Sequence, residues 1–226
     1  MNKFWEFKAL GNAGELFLYG EISDTSWWGD EITPAQFQKE LAALGDISTL
    51  DVYINSPGGD IFAGFSLYNI LNRHPATKTV HIDGLAASAA SVVAMAGDET
   101  LISPTGMIMI HNPMTYASGN KSDMEQAIRL LDEVKESIIN AYARKTKLSR
   151  DKISGLMDEE TWFNAEKALQ LGFADGILFD ESDDKNPTSM MYSVSKSRNA
   201  FLNKISADSS GTPIEQLEKR LSLLKY

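Results

Sequence analysis

The stretches "LDVYINSPGGDIFAGFSLYNILNRH" (50–74) and "KTVHIDGLAASAASVVAMAG" (78–97) follow one plan: a short apolar segment, a glycine-containing turn, then a segment of helical character. Leu50 to Ile54 is β-branched and aromatic enough for a buried strand, and Pro57-Gly58-Gly59 forces a tight turn after it. In the second unit "KTVHI" reads as the strand, "DGLAAS" as the turn and "SAASVVAMAG" as a helix whose small side chains allow close packing on a sheet. Two strand-turn-helix units in succession leave their strands parallel, joined by right-handed crossovers. The fold class that follows is α/β with a mainly parallel sheet.

The alternation extends in both directions. Upstream, "ELFLYGEI" (Glu15 to Ile22) reads as a strand and "TPAQFQKELAAL" (Thr33 to Leu44) as a helix, with Thr33 as N-cap and Pro34 at the first helical position. Downstream, "ETLISP" and "GMIMIHNP" are further strands, ending at Pro104 and around His111. A long helix then starts at Ser122, which forms a capping-box pattern with Glu125, and runs to about Thr146. Its apolar positions Met124, Ile128, Leu131, Val134, Ile138 and Tyr142 step by three or four, so one face is buried, inside the monomer or against a neighbour.

From Glu181 to Asn199 Ser, Asp, Asn and Lys dominate and the apolar period is lost, which marks a linker or tail. Beyond it "TPIEQLEKRLSLLKY" aligns Ile214, Leu217, Leu221 and Leu224 on one helical face that needs a partner surface. The expected organisation is one domain over 1–180, a linker over 181–212 and a short amphipathic helix over 213–226. A formal net charge of -10, with no Lys/Arg cluster, argues against nucleic acid as a partner. The absence of cysteine excludes disulfides, thiolate nucleophiles and Cys-based metal sites. The longest apolar run, Leu85 to Gly97, is short for a bilayer span, and the N-terminus lacks a signal peptide's apolar core, so no membrane is expected and the protein reads as cytoplasmic.

Ser88 stands in the small and apolar run Ile82–Gly97, where a buried hydroxyl without a partner costs free energy. It follows a strand and a turn and opens a helix. One reading makes it an N-cap; the other makes it a nucleophile, beside an Ala89 amide and a helix terminus that favour developing negative charge. His111 ends the strand "GMIMI", at the edge where open parallel sheets bind ligands, and is either a base or a packing histidine. The other two histidines are poorer candidates, since His74 closes a helix before Pro75 and His81 lies inside a strand. Gly58 and Gly59 let backbone approach a bound group, or make an ordinary turn; the loop lacks the lysine and spacing of a phosphate-binding loop. Acyl transfer to serine needs a base, a carboxylate that holds it and donors for the oxyanion, and each part has a candidate here.

Taken together, "INSPGGDIFAGFSLYNIL", "DGLAASAASVVAMAG", "MIMIHNP" and "WFNAEKALQLGFADGI" occur in the order and at about the spacing of the ClpP-type serine peptidases, which the chain resembles from roughly Glu15 to Ile177. The resemblance implies a ClpP/crotonase-type fold of repeated β-β-α units. It also implies Ser88 as nucleophile, His111 as base, and an oxyanion hole from Gly58, Gly59 and the Ala89 amide, with no cofactor and no metal. In that family an aspartate precedes the "SAxEAxxxGLVD" motif; ungapped matching to "NAEKALQLGFAD" puts Glu160 there, with Asp158 and Glu159 as alternatives if the loop shifts. The resemblance further implies a homo-oligomer acting on polypeptides, in heptameric rings, single or stacked, with the helix Ser122–Thr146 between subunits.

The opening "KFWEFKALGNAGELFLYGEISDTSWWGDEITPAQF" and the serine-rich tail are similar to ClpP-related head maturation proteases of tailed phages and prophages. Those enzymes process capsid or scaffold proteins, usually without an unfoldase, in the bacterial cytoplasm or the procapsid. Trp27 and Trp28 would then be an interaction patch, or two large residues covering a small core. The tail after Asp180 is a candidate site of self-cleavage. Competing readings are a Clp-like proteolytic subunit of general degradation with an ATPase partner, a crotonase-type acyl-CoA enzyme without a triad, and an assembly protein whose triad is vestigial.

Overall fold

The computed structural model describes residues 4–23 and 34–179. Thr33, Trp27, Trp28 and the expected linker, terminal helix and self-cleavage site lie outside the described residues. The chain opens with a hairpin, β1 (Trp5–Leu10) and β2 (Ala13–Tyr19), followed by α1 (Pro34–Ala42), β3 (Thr49–Ser56), α2 (Ile61–Arg73) and β4 (Thr77–Ala87). Next come α3 (Ala89–Ala94), β5 (Glu99–Ile102), β6 (Met107–Ile110), the long α4 (Lys121–Thr146), α5 (Arg150–Asp158), β7 (Thr161–Asn164), α6 (Ala165–Leu171) and β8 (Gly176–Ile177). Strands β2, β3, β4, β5 and β8 lie parallel in that order, with β1 antiparallel on the β2 edge. A branch leaves β4: β6 runs parallel to it, and β7 pairs antiparallel with β6.

The two-residue period of a strand sorts the side chains. Leu16, Val52 and Val80 share one row across β2, β3 and β4, and Leu18, Ile54 and Ile82 another; all six are buried in the core with Phe37 of α1, Leu67 of α2 and Val93 of α3. Truncating such a residue to alanine costs about 2–5 kcal/mol. The row between them, Phe17, Tyr53 and His81, alternates to the other face and stacks, with ring centroids 4.8 and 4.7 Å apart. There His81 Nε2 lies 2.9 Å from Asp51 Oδ1, and burial, with Asp51 next, pushes the Tyr53 hydroxyl up to about 12.

Two local expectations are corrected. "DGLAA" is not a turn but the second half of β4, because Ser103, in the β5–β6 connection, donates its N–H to the Ile82 carbonyl and its hydroxyl to the Asp83 carbonyl. With those carbonyls satisfied, Leu85 to Ala87 is free to pair with β6. The long helix is capped by Asn120 rather than Ser122: the Asn120 side chain accepts from the Ser122 and Asp123 amides, and Asp123 returns a bond to the Asn120 N–H. The charged opening segment, to which the sequence pattern assigns no element, forms β1, whose Glu6 and Lys8 suit an edge strand.

Helix α4 buries Val134, Ile138, Ala141 and Tyr142 near its C-terminus, whereas Ile128 and Leu130, a turn or two earlier, are half exposed or more. Among the described residues no helix is long and apolar enough to cross a membrane.

Candidate active site

The branch from β4 to β6 brings the two chemically interesting residues together. Pairing runs Leu85 with Met107, Ala86 with Ile108 and Ala87 with Met109, and Ser88 extends the ladder by donating its N–H to the Met109 carbonyl at 2.9 Å. Ser88 then leaves the strand at φ 54°, ψ −125°, and His111 follows the last residue of β6. Ser88 Oγ lies 2.7 Å from His111 Nε2. No side-chain capping bond to α3 forms, so the hydroxyl is committed to the imidazole and not to the helix. A non-glycine residue at such a φ costs about 1–3 kcal/mol, which the surrounding bonds must hold in place.

The glycine loop closes over the same point. Gly58 sits at φ 92°, and a side chain there would begin 2.7 Å from Ser88 Cβ and 2.9 Å from the Ala89 nitrogen. Gly59 sits at φ 142°, where an added Cβ would fall 2.0 Å from the Ile22 carbonyl oxygen. Ile22 fastens the loop: its N–H donates to the Gly58 carbonyl at 2.7 Å, and its carbonyl accepts from Asp60 N–H at 2.8 Å. Asp60 in turn caps α2 by accepting from the Ala63 amide at 2.7 Å.

Of the three expected amide donors, Gly58 is already engaged, donating to Ser56 Oγ at 3.1 Å. The Gly59 and Ala89 amides carry no hydrogen bond among the described residues. Ser56 gave a weak sequence signal, a serine two residues before a turn glycine. A cavity of about 250 Å³ opens beside Gly59, Ser88 and His111, with Val92, Val134 and Ile138 along its apolar wall.

The acid is arranged differently. β6 and β7 pair Met109 with Trp162 and Ile110 with Thr161, where the ladder ends; the next residues along the two strands are His111 and Glu160. Glu160 lies in a left-handed turn at φ 46°, exposed, and its Oε1 accepts from Trp162 Nε1 at 3.3 Å. No hydrogen bond joins it to His111. Asp158 Oδ1 accepts from Lys135 Nζ at 2.6 Å and Asn112 Nδ2 at 2.9 Å; Lys135 first, then Asn112, holds its carboxyl below the usual range. Glu159 is the exposed C-cap of α5. Of the remaining histidines, His74 is the C-cap of α2, with Nδ1 accepting from the Ala76 amide, and His81 pairs with Asp51 on the far sheet face.

A family model described as Clp protease matches residues 5–181. The chain belongs to the Clp protease family. The ATP-dependent Clp protease proteolytic subunit of Bacteroides fragilis is 32% identical to it over 154 residues, covering 66% of this chain and 74% of the relative. The ATP-dependent Clp protease proteolytic subunit 1 of Chlamydia abortus is 34% identical over 134 residues, covering 58% of this chain and 70% of the relative. This Clp protease is a serine peptidase, and its mainly parallel sheet with flanking helices is the ClpP-type fold.

Proposed function

We propose that this Clp protease is an endopeptidase that cleaves peptide bonds by attack of Ser88 on the scissile carbonyl, inside a homo-oligomeric ring. The observation that carries the reading is the 2.7 Å contact between Ser88 Oγ and His111 Nε2. His111 takes the hydroxyl proton as Ser88 attacks and hands it to the departing amine; it then activates the water that releases the acyl group from Ser88. The Gly59 and Ala89 amides receive the oxyanion, and Gly58 serves by having no side chain to press on Ser88.

Glu160 turns from Trp162 to His111 Nδ1 when the triad is complete. Its place one step beyond the Ile110–Thr161 pair supports this assignment, and the hold of Lys135 on Asp158 speaks against the alternative acid. Labelling with a fluorophosphonate probe, the modified peptide located by mass spectrometry, tests the nucleophile. Modification at Ser88 that disappears in Ser88→Ala is expected; activity surviving in Ser88→Ala would favour the crotonase-type reading.

The biological setting we infer is phage or prophage head maturation, with capsid or scaffold proteins cut by heptameric rings, in the host cytoplasm or the procapsid. The likeness of the opening segment and tail to head maturation proteases supports it. The relatives' names favour a second reading, an ATP-dependent subunit of general degradation. The two separate when the protein is given a capsid or scaffold protein with and without a Clp ATPase and ATP. Limited cleavage without the ATPase supports maturation, and digestion that needs it supports the second reading.

A further inference from the structure

We propose that Ser91 and Tyr142 form a latch that aims the Ala89 amide at the oxyanion, so that helix α4 sets the reactivity of Ser88; this rests on Ser88 being the nucleophile. The Ser88 carbonyl accepts two bonds, from Ser91 N–H at 3.0 Å and from Ser91 Oγ at 2.6 Å. A hydroxyl has one proton, and that of Ser91 goes to the carbonyl, which cannot donate. Tyr142 OH, 2.8 Å from Ser91 Oγ, therefore donates to it. The chain of bonds has one direction: Tyr142 hydroxyl to Ser91 hydroxyl to Ser88 carbonyl.

A serine inside a helix commonly returns its hydroxyl to a carbonyl three or four residues back. Two features make this one different. The carbonyl belongs to a residue at φ 54°, and the serine's acceptor side is filled by a tyrosine from another element. Ser91 is 0% and Tyr142 1% exposed, so both hydroxyls are shielded from bulk water. The Tyr142 ring is fixed edge-on by Phe173, with centroids 5.4 Å apart, and Phe173 packs on Phe163 of β7.

The consequence lies in one peptide plane. The Ser88 carbonyl and the Ala89 N–H belong to the same planar trans peptide and point in opposite directions. Whatever orients the carbonyl orients the amide. The Ser88 N–H bond to Met109 controls only the preceding peptide, so rotation of the plane that carries Ala89 N–H is restrained at its carbonyl end by the Ser91 N–H together with the shorter bond from the Ser91 hydroxyl, which Tyr142 backs. Its loss is felt where the oxyanion develops, in turnover, and not in substrate binding.

The test uses the assembled full-length protein, a fluorogenic peptidyl-aminocoumarin and a fluorophosphonate probe. Ser91→Ala and Tyr142→Phe are each expected to lower kcat and the rate of Ser88 labelling roughly tenfold with KM within about twofold, and the double variant to be no worse than the poorer single one. Leu41→Ala, on the buried face of α1 and away from the site, supplies a variant of lowered Tm with unchanged kcat. If Ser91→Ala and Tyr142→Phe also lower Tm alone, leaving kcat and labelling at the wild-type level, the pair is structural and the latch is refuted. A wild-type protein that is not labelled at Ser88 would instead overturn the nucleophile assignment and the latch with it.

Discussion

The two sides of His111 are built by different means. On the Nε2 side, Ser88 is delivered by paired backbone: three residue pairs between β4 and β6, then its own N–H on the Met109 carbonyl. Its hydroxyl meets the ring at 2.7 Å. The other side should be served by Glu160, which comes from an exposed turn between α5 and β7 and bonds Trp162 instead. Ladder hydrogen bonds fix an atom to a fraction of an ångström, whereas an exposed side chain on a turn keeps its choice of partner. The Ser88–His111 contact is thus preorganised, and under the proposed mechanism the contact to the acid is conditional.

The largest effect comes from the preorganised side. Ser88→Ala should remove fluorophosphonate labelling and lower peptide turnover by at least about a thousandfold, with thermal stability close to wild type, since alanine keeps the same backbone conformation. Turnover and melting temperature measured on the same preparation decide it. Residual activity near the wild-type level would break the comparison at its root.

Next comes the conditional side. Glu160→Gln keeps the size of the side chain and removes its charge, and kcat should fall about a hundredfold if the carboxylate reaches His111 during the cycle. Asp158→Asn is the matched control and should fall far less. Reversal of that order would show that the acid is Asp158, with Lys135 and Asn112 as its orienting partners.

The same division separates what was legible in the sequence from what was not. The β-α alternation and the Gly58–Gly59 turn were readable because each depends on local pattern, and Ser88 and His111, singled out as candidates by their places after a strand, are brought together at 2.7 Å. The continuation of β4 through Asp83–Ala87 was not, since it depends on Ser103, from the β5–β6 connection, to satisfy two carbonyls. Nor was the Ser91–Tyr142 bond, whose partners are 51 residues apart in the chain. Matching of motifs pointed to Glu160 as the acid, but no sequence pattern encodes whether its carboxylate lies against His111 or Trp162. That choice belongs to the rotamer of one exposed side chain, which local sequence does not set.

Trp162→Phe sharpens the comparison further. It keeps an aromatic side chain on β7 and removes the indole N–H that holds Glu160 Oε1, so the carboxylate is released toward His111. An increase in kcat of roughly two- to fivefold is expected, as a population shift toward the complete triad. A decrease would mean that Trp162 positions Glu160 for its task instead of detaining it.

The smallest effect belongs to the Lys135–Asp158 pair. Lys135, and then Asn112, holds the Asp158 carboxyl below its ordinary value of 3.8. A carboxylate whose native pKa is lowered adds stability that is complete above the unfolded value and is lost as pH falls through the native one. Lys135→Met should therefore melt slightly below wild type at neutral pH, with a gap that closes as the buffer is taken below pH 3.8 and that shrinks with added salt. Its kcat should stay within about twofold of wild type, because the pair lies outside the Ser88–His111 contact. A gain in turnover would show that Asp158, once freed from Lys135, competes with Glu160 for the imidazole, and the acid side of His111 would then hold two interchangeable carboxylates instead of one.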